Sequence, residues 1–135
     1  MQFKEKVAII TGGAHGIGKC ITEEFRKEGA YVCIIDKQEG EHFVGDLSNK
    51  ETIEEFCKFV ISKYGHVDYI INNALPLMRG IDECSYEEFQ YAPSVGVTDP
   101  FYLVKCLKDN LSATHKTMSW SSMTQYDTTS STRRA

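Results

Sequence analysis

The chain has 135 residues, 41% of them apolar and 25% charged, with a formal net charge of −4. That length makes one domain around a single core. The acidic balance argues against nucleic acid, whose binders carry basic faces, and no apolar run is long enough to span a bilayer or to act as a signal peptide. Neither a nucleic-acid partner nor a membrane is therefore expected.

The first organising feature is a strand, turn and helix. Val7-Ala8-Ile9-Ile10 is a continuous apolar run, as a buried parallel strand requires. Thr11-Gly12-Gly13-Ala14-His15-Gly16-Ile17-Gly18 follows, and Lys19 to Glu28 then reads as helix, with Ile17, Ile21, Glu24 and Phe25 near one face and Gly29 as its stop. A turn this tight needs residues that tolerate positive φ, and a helix start offers unpaired N–H groups and the positive end of the dipole to an anion. A pyrophosphate suits such a place. Tyr31-Val32-Cys33-Ile34-Ile35 is the second buried strand, ending at Asp36. The link Lys37 to Glu41 is too short for a crossover helix, so one face of the sheet should be thinly covered. His42 to Leu47 reads as a third strand.

Ser48 and Glu51 have the spacing of a capping box, opening a helix with Ile53, Phe56, Cys57 and Val60 on one face and Gly65 at its end. Val67 to Ile71 is the fourth strand and runs into Asn72-Asn73-Ala74. Ser85 and Glu88 form a second capping box, Pro93 and Pro100 punctuate the next stretch, and Phe101 to Leu111 reads as helix. The expected class is α/β, with about four parallel strands doubly wound. Five cysteines (Cys20, Cys33, Cys57, Cys84, Cys106) show no C-x-x-C pair, which predicts buried or half-buried free thiols in a reducing, cytoplasmic setting. Four histidines lack metal-ligand spacing, so no metal site is expected.

After Asn110 the character changes. Ser and Thr make up 12 of the last 25 residues against 8 of the preceding 110. The net charge is −6 before the break and +2 after it. Apolar periodicity is lost, and nothing from Ser112 to Ala135 suits a buried strand. Residues 1–110 are expected to form the domain, and 111–135 a disordered or irregular tail resembling a foreign reading frame.

Four motifs in order carry a family resemblance. Thr11-Gly12-x-x-x-Gly16-Ile17-Gly18, Asp36 at the end of the second strand, Gly45-Asp46-Leu47 after the third and Asn72-Asn73-Ala74 after the fourth resemble the classical short-chain dehydrogenases/reductases. The likeness covers Lys4 to about Asn110, the N-terminal part of that family, and implies an incomplete Rossmann-like domain. By resemblance, Gly12, His15, Gly16, Ile17 and Gly18 hold the pyrophosphate and neighbouring ribose. Asp46 and Leu47 bracket the adenine, and Asn73 and Ala74 line the path toward the nicotinamide ribose. A carboxylate at Asp36 accepts from the ribose hydroxyls of NAD and repels the 2′-phosphate of NADP, so NAD is the expected cofactor. His15 and Lys37 lie where NADP enzymes of the family place basic residues, which tempers that preference.

The family's proton-transfer apparatus is a Tyr with a Lys four residues on, a Ser, and an Asn. None of the seven tyrosines here has that Lys: the fourth residues on are Ile35, Asp68, Asn73, Gln90, Val95, Cys106 and Ser130. Gly96 stands where the Asn is usual, and Leu75 replaces the Gly of the Asn-Asn-Ala-Gly motif. Ser121 and Ser122 are set aside because the strand that should deliver the serine is missing, and Tyr126 is expected to be exposed. No catalytic residue is assigned. The expected function is an NAD(P)-binding oxidoreductase of this family, truncated or frame-shifted and inactive as this chain. The alternative is a non-catalytic NAD-binding or interaction module. With the fourth strand left as an open apolar edge, the family's tetramer is not expected and association through that edge is. Substrate choice is not encoded in these residues.

Overall fold

The computed structural model describes residues 1–74, 80–119 and 125–126, with side chains as far as Leu111. Ten regular elements follow in order: β1 (Val7–Thr11), α1 (Gly16–Lys27), β2 (Tyr31–Asp36), β3 (Phe43–Val44), α2 (Lys50–Tyr64), β4 (Val67–Asn72), α3 (Tyr86–Pro93), α4 (Asp99–Leu107), β5 (Leu111–Ser119) and β6 (Gln125–Tyr126). A π-helical turn, Ser94–Thr98, joins α3 to α4.

The sheet order is β3-β2-β1-β4-β5-β6, parallel throughout except for β6. β1 is central and buried at every residue, as its unbroken apolar run requires. Its neighbours are β2, reached on one side, and β4, added on the other. The two windings of the chain therefore diverge between β1 and β4, where a crevice opens beyond the strands' carboxyl ends. One face packs on α2 and α4 through Ile9, Ile35, Phe56, Val60, Ile70 and Leu103. On the opposite face Phe25 of α1 stacks on Phe3, and both rings contact Tyr69 of β4.

Local chemistry explains the ends. Gly65 closes α2 at φ 77°, and Gly29 follows α1 at φ 88°, conformations that suit glycine. The Ser85–Glu88 capping box opens α3 as expected. The cap of α2 is Asn49 rather than Ser48: its Oδ1 accepts from Glu51 N at 3.0 Å and Thr52 N at 3.4 Å. Just before it, Asp46 Oδ1 accepts from the Ser48 N–H at 2.9 Å. The same turn shortens β3 to Phe43–Val44, where a strand from His42 to Leu47 was expected.

Three further expectations are corrected. α1 buries Gly18 and Thr22 with Ile21 and Phe25 beside them, whereas Ile17 is exposed. α3 does reach its end at Pro93, and the π turn carries the chain on into α4, with Asp99 N–H bonding back to Ser94 O. α4 begins at Asp99 and stops at Leu107, since Leu111 enters β5. Among the cysteines, which are all free, Cys33 and Cys57 are buried but Cys20 is exposed.

The largest correction concerns the end of the sheet. The fourth strand is not an open edge: β5 pairs with it in parallel, with Tyr69 opposite Lys116 and Asn72 opposite Ser119. Pairing needs backbone N–H and C=O groups, and a parallel edge accepts any chain that offers them. A Ser/Thr-rich sequence satisfies this without supplying apolar side chains. Val67 N–H donates to Asn110 O at 2.9 Å and so brings the chain alongside. The ground for setting Ser121 and Ser122 aside, a missing strand, thus no longer stands. Both serines, like Leu75, lie outside the described residues, as does the side chain of Tyr126. Among the described residues no helix is long and apolar enough to cross a membrane.

Candidate functional site

The carboxyl ends of β1, β2, β3 and β4 surround a cleft of about 390 Å³, within the range of small-molecule sites. Of the residues singled out from sequence, Gly12, His15, Gly16, Ile17, Asp36, Asp46, Leu47, Asn73 and Ala74 line it. Gly18 does not. It lies beneath, where a Cβ would come within 2.2 Å of Gly12 O and 2.4 Å of Asn73 Nδ2. Its glycine is required by the close approach of helix, turn and β4, with no ligand needed to explain it.

The turn is tied from below. Asn73 Nδ2 donates to Thr11 O and Gly12 O, each at 3.2 Å, and Ala74 N–H donates to Thr11 Oγ1 at 2.9 Å. Thr22 Oγ1 donates to Gly18 O at 2.9 Å and Gly13 O at 3.2 Å. Gly12 and Gly16 both have positive φ, 64° and 56°, and only at Gly16 would a Cβ meet nothing within 4 Å. Backbone is therefore bare to the cleft at the first residue of α1. No side chain caps this helix: His15 is its N-cap residue but makes no capping bond, in contrast to Asn49 and Ser85 at α2 and α3. The first N–H groups of α1 lack acceptors within the helix and face the cleft with the positive end of its dipole.

At the β2 end, Asp36 has a side chain only 2% exposed. Its Oδ2 accepts from Ala14 N–H at 3.1 Å and His15 Nδ1 at 2.9 Å, and its Oδ1 from Gln38 N–H at 3.0 Å. Burial pushes this carboxyl up, but the Gln38 and Ala14 N–H groups and the His15 ring outweigh it and hold it below the usual carboxylate range. Asp36 is an anion at neutral pH.

Two lining residues, Tyr91 and Val95, were given no role from the sequence, and Lys37 was noted only as a basic residue after Asp36. Tyr91 of α3 donates its hydroxyl to Asp46 Oδ1 at 3.1 Å, and Lys37 Nζ lies 5.6 Å from the centre of the same ring. Val95 of the π turn completes that wall. Tyr91 and Asp46 are 45 residues apart, so only the folded chain brings them together. The Tyr91–Lys37 pair is not an activated phenol: desolvation and the Asp46 carboxylate push the Tyr91 hydroxyl up, away from neutral pH. Asp46 itself is held low, because the Ser48 and Tyr91 bonds and the Lys37 charge exceed the effect of partial burial.

The described residues fit the adenosine–diphosphate end of a dinucleotide. They offer an uncapped helix start beside a bare glycine, a buried carboxylate at the end of β2, and a half-apolar wall after β3. No tyrosine in the cleft is prepared to give up a proton near neutral pH.

Comparison with known proteins agrees with this geometry. A family model described as short chain dehydrogenase matches residues 6–118, running past Asn110 into the Ser/Thr-rich stretch. Zerumbone synthase of Zingiber zerumbet is 34% identical over 123 residues, covering 78% of this chain and 46% of that protein. L-fucose dehydrogenase of Mus musculus is 29% identical over 118 residues, covering 77% of this chain and 43% of that protein. An apo SCOR enzyme from Clostridium thermocellum superposes with a TM-score of 0.71 at 34% identity, over 78% of this chain and 49% of that one. The chain thus spans less than half the length of the two curated relatives.

Proposed function

The chain belongs to the short-chain dehydrogenase family, and from that premise we propose that it is the nucleotide-binding part of an NAD(P)-dependent oxidoreductase, with NAD preferred. The family is one that binds NAD or NADP. The observation that carries the reading is the meeting of an uncapped α1, bare Gly16 and anionic Asp36 at one cleft. Gly12, His15, Gly16, Ile17 and Gly18 form the pyrophosphate turn, Gly18 by letting the helix close on it. Asp36 takes the ribose side, Asp46 and Leu47 flank the adenine, and Asn73 and Ala74 border the route toward the nicotinamide ribose.

When bound, the nicotinamide supplies or accepts the hydride. The protein must provide orientation and a proton at the substrate oxygen. The first task is met by the helix start, which attracts the diphosphate, and by Asp36, whose negative charge disfavours a 2′-phosphate. The second is not met by any tyrosine here, since none has a lysine four residues on. The reading is therefore of a chain that binds cofactor without turning it over.

Calorimetry with NAD and NADP at slightly alkaline pH tests it. Native protein is expected to bind NAD more tightly. Asp36→Ala is expected to weaken NAD by about tenfold, the loss of a charge-assisted hydrogen bond, and to narrow the preference. Unchanged affinities in the variant would remove Asp36 from the site.

A further inference from the structure

Asp46 lines the cleft from the loop that leaves β3, yet it is exposed, and a lone carboxylate in such a place turns freely. Here it is held. Its Oδ1 accepts from the Ser48 N–H at 2.9 Å, within its own loop, and from the Tyr91 hydroxyl at 3.1 Å, which arrives from α3. The second bond is the one that local sequence does not supply, since it joins residues 45 positions apart.

The direction of that bond follows from the two groups. Asp46 is an anion and only accepts, while the Tyr91 hydroxyl keeps its proton and donates. A carboxylate offers about four acceptor sites. The Ser48 N–H, the Ser48 hydroxyl and the Tyr91 hydroxyl take three of them. What remains is an acceptor with a set direction. Lys37, its Nζ 5.6 Å from the centre of the Tyr91 ring, adds a charge that keeps Asp46 ionised. An acceptor fixed before the ligand arrives spares the ligand the cost of ordering it.

Resting on the reading of the cleft as a dinucleotide site, we propose that Tyr91 is a positioning residue for base selection: it aims the Asp46 carboxylate at the amino group of adenine and so sets a preference over a purine that carries a carbonyl there. Adenine donates to the aimed oxygen. Hypoxanthine sets an acceptor against an acceptor at the same place and gains nothing. With the Tyr91 hydroxyl removed, Asp46 turns on Ser48 alone, and either base meets a carboxylate without a set direction.

The test is calorimetric binding of NAD and of nicotinamide hypoxanthine dinucleotide to the full chain, as native protein, Tyr91→Phe, Asp46→Asn and the double variant. Phe keeps the ring beside Lys37 and removes only the hydroxyl of a half-buried side chain, so the fold is retained, as the melting temperature checks. Native protein is expected to bind NAD about tenfold more tightly than the hypoxanthine analogue, the worth of one charge-assisted bond, and Tyr91→Phe to bring the two within about threefold. Added to Asp46→Asn, the same change is expected to alter the ratio no further, because Tyr91 acts only through the carboxylate. An undiminished preference in Tyr91→Phe overturns the proposal and leaves the dinucleotide reading standing. Equal binding of the two nucleotides by native protein, or a further loss in the double variant, does the same. Failure of native protein to bind either nucleotide rejects the dinucleotide reading and this proposal with it.

Discussion

Asp99 is the residue whose environment is least comfortable. It opens α4 only 5% exposed, and its Oδ2 has no hydrogen-bond partner among the described residues. Burial, aided by the charge of Asp46, pushes its carboxyl up to about 7. Between the unfolded value near ~4 and that folded value, the native state holds the proton and the unfolded state does not. Asp99 therefore weakens the fold progressively as pH rises across that window, and the penalty stays constant above it. Asp99→Asn is expected to flatten this part of the stability profile and to raise stability at pH ~8 by on the order of 1–2 kcal/mol, the full linkage of about 1.4 kcal/mol per tenfold change in proton affinity being reduced by solvent screening. Urea titrations of both proteins from pH ~4 to ~8 measure it. Identical slopes would show that the carboxyl is solvated. Gly18 makes the converse case. A methyl there meets the Gly12 carbonyl at 2.2 Å, main chain that cannot turn aside. Gly18→Ala is expected to lower the melting temperature by several degrees, on the order of 1–3 kcal/mol for an overpacked site.

Between elements, what decides the cleft is how each begins and ends. Asn49→Ala removes the acceptor for two N–H groups of α2 and is expected to cost about 1 kcal/mol by chemical denaturation. β4 is paired on both sides, by β1 and β5, so the Ile70 and Ile71 amides are expected to be among the slowest to exchange with solvent. Free exchange along β4 would mean that β5 does not hold. The same scale shows what was legible beforehand. The first two strands and the fourth, together with Asp36, declared themselves through unbroken apolar runs ending in a polar residue, and the Gly12–Gly18 turn through its spacing. β5 gave no such signal, because a sheet edge selects for backbone groups and Leu111 to Ser119 has little apolar pattern. Pro93 marked a break in this stretch, and α3 ends there, but nothing in the sequence announced that a π turn would carry the chain on into α4. Tyr91 was silent, and the place of Lys37 beside its ring could not be read, because both depend on β2, β3 and α3 converging, a contact that no local pattern encodes.

For the whole molecule, the described chain joins a well-formed cleft to less than half the length of its relatives. Purified protein is expected to bind NAD while oxidising no NADH with simple carbonyl substrates above the buffer rate. Steady turnover would show that a group other than a Tyr-x-x-x-Lys pair moves the proton. Apolar side chains stand exposed along the α3–α4 run, Phe89 at 60%, Val97 at 66% and Phe101 at 65%. Exposure on this scale favours self-association. Sedimentation velocity is expected to show concentration-dependent association that Phe101→Ser reduces, and a uniform tetramer unaffected by that change would contradict the expectation.

The bare start of α1 also fixes how the chain should respond to fragments. A ligand that binds only the native state raises the melting point by mass action. Inorganic diphosphate, which carries no sugar or base, should thus warm-stabilise the protein by itself, and adenosine should add a separate increment through the wall formed by Asp46 and Leu47. A dye-based melting series with the two pieces, alone and together, would divide the grip on a dinucleotide into its phosphate and nucleoside shares.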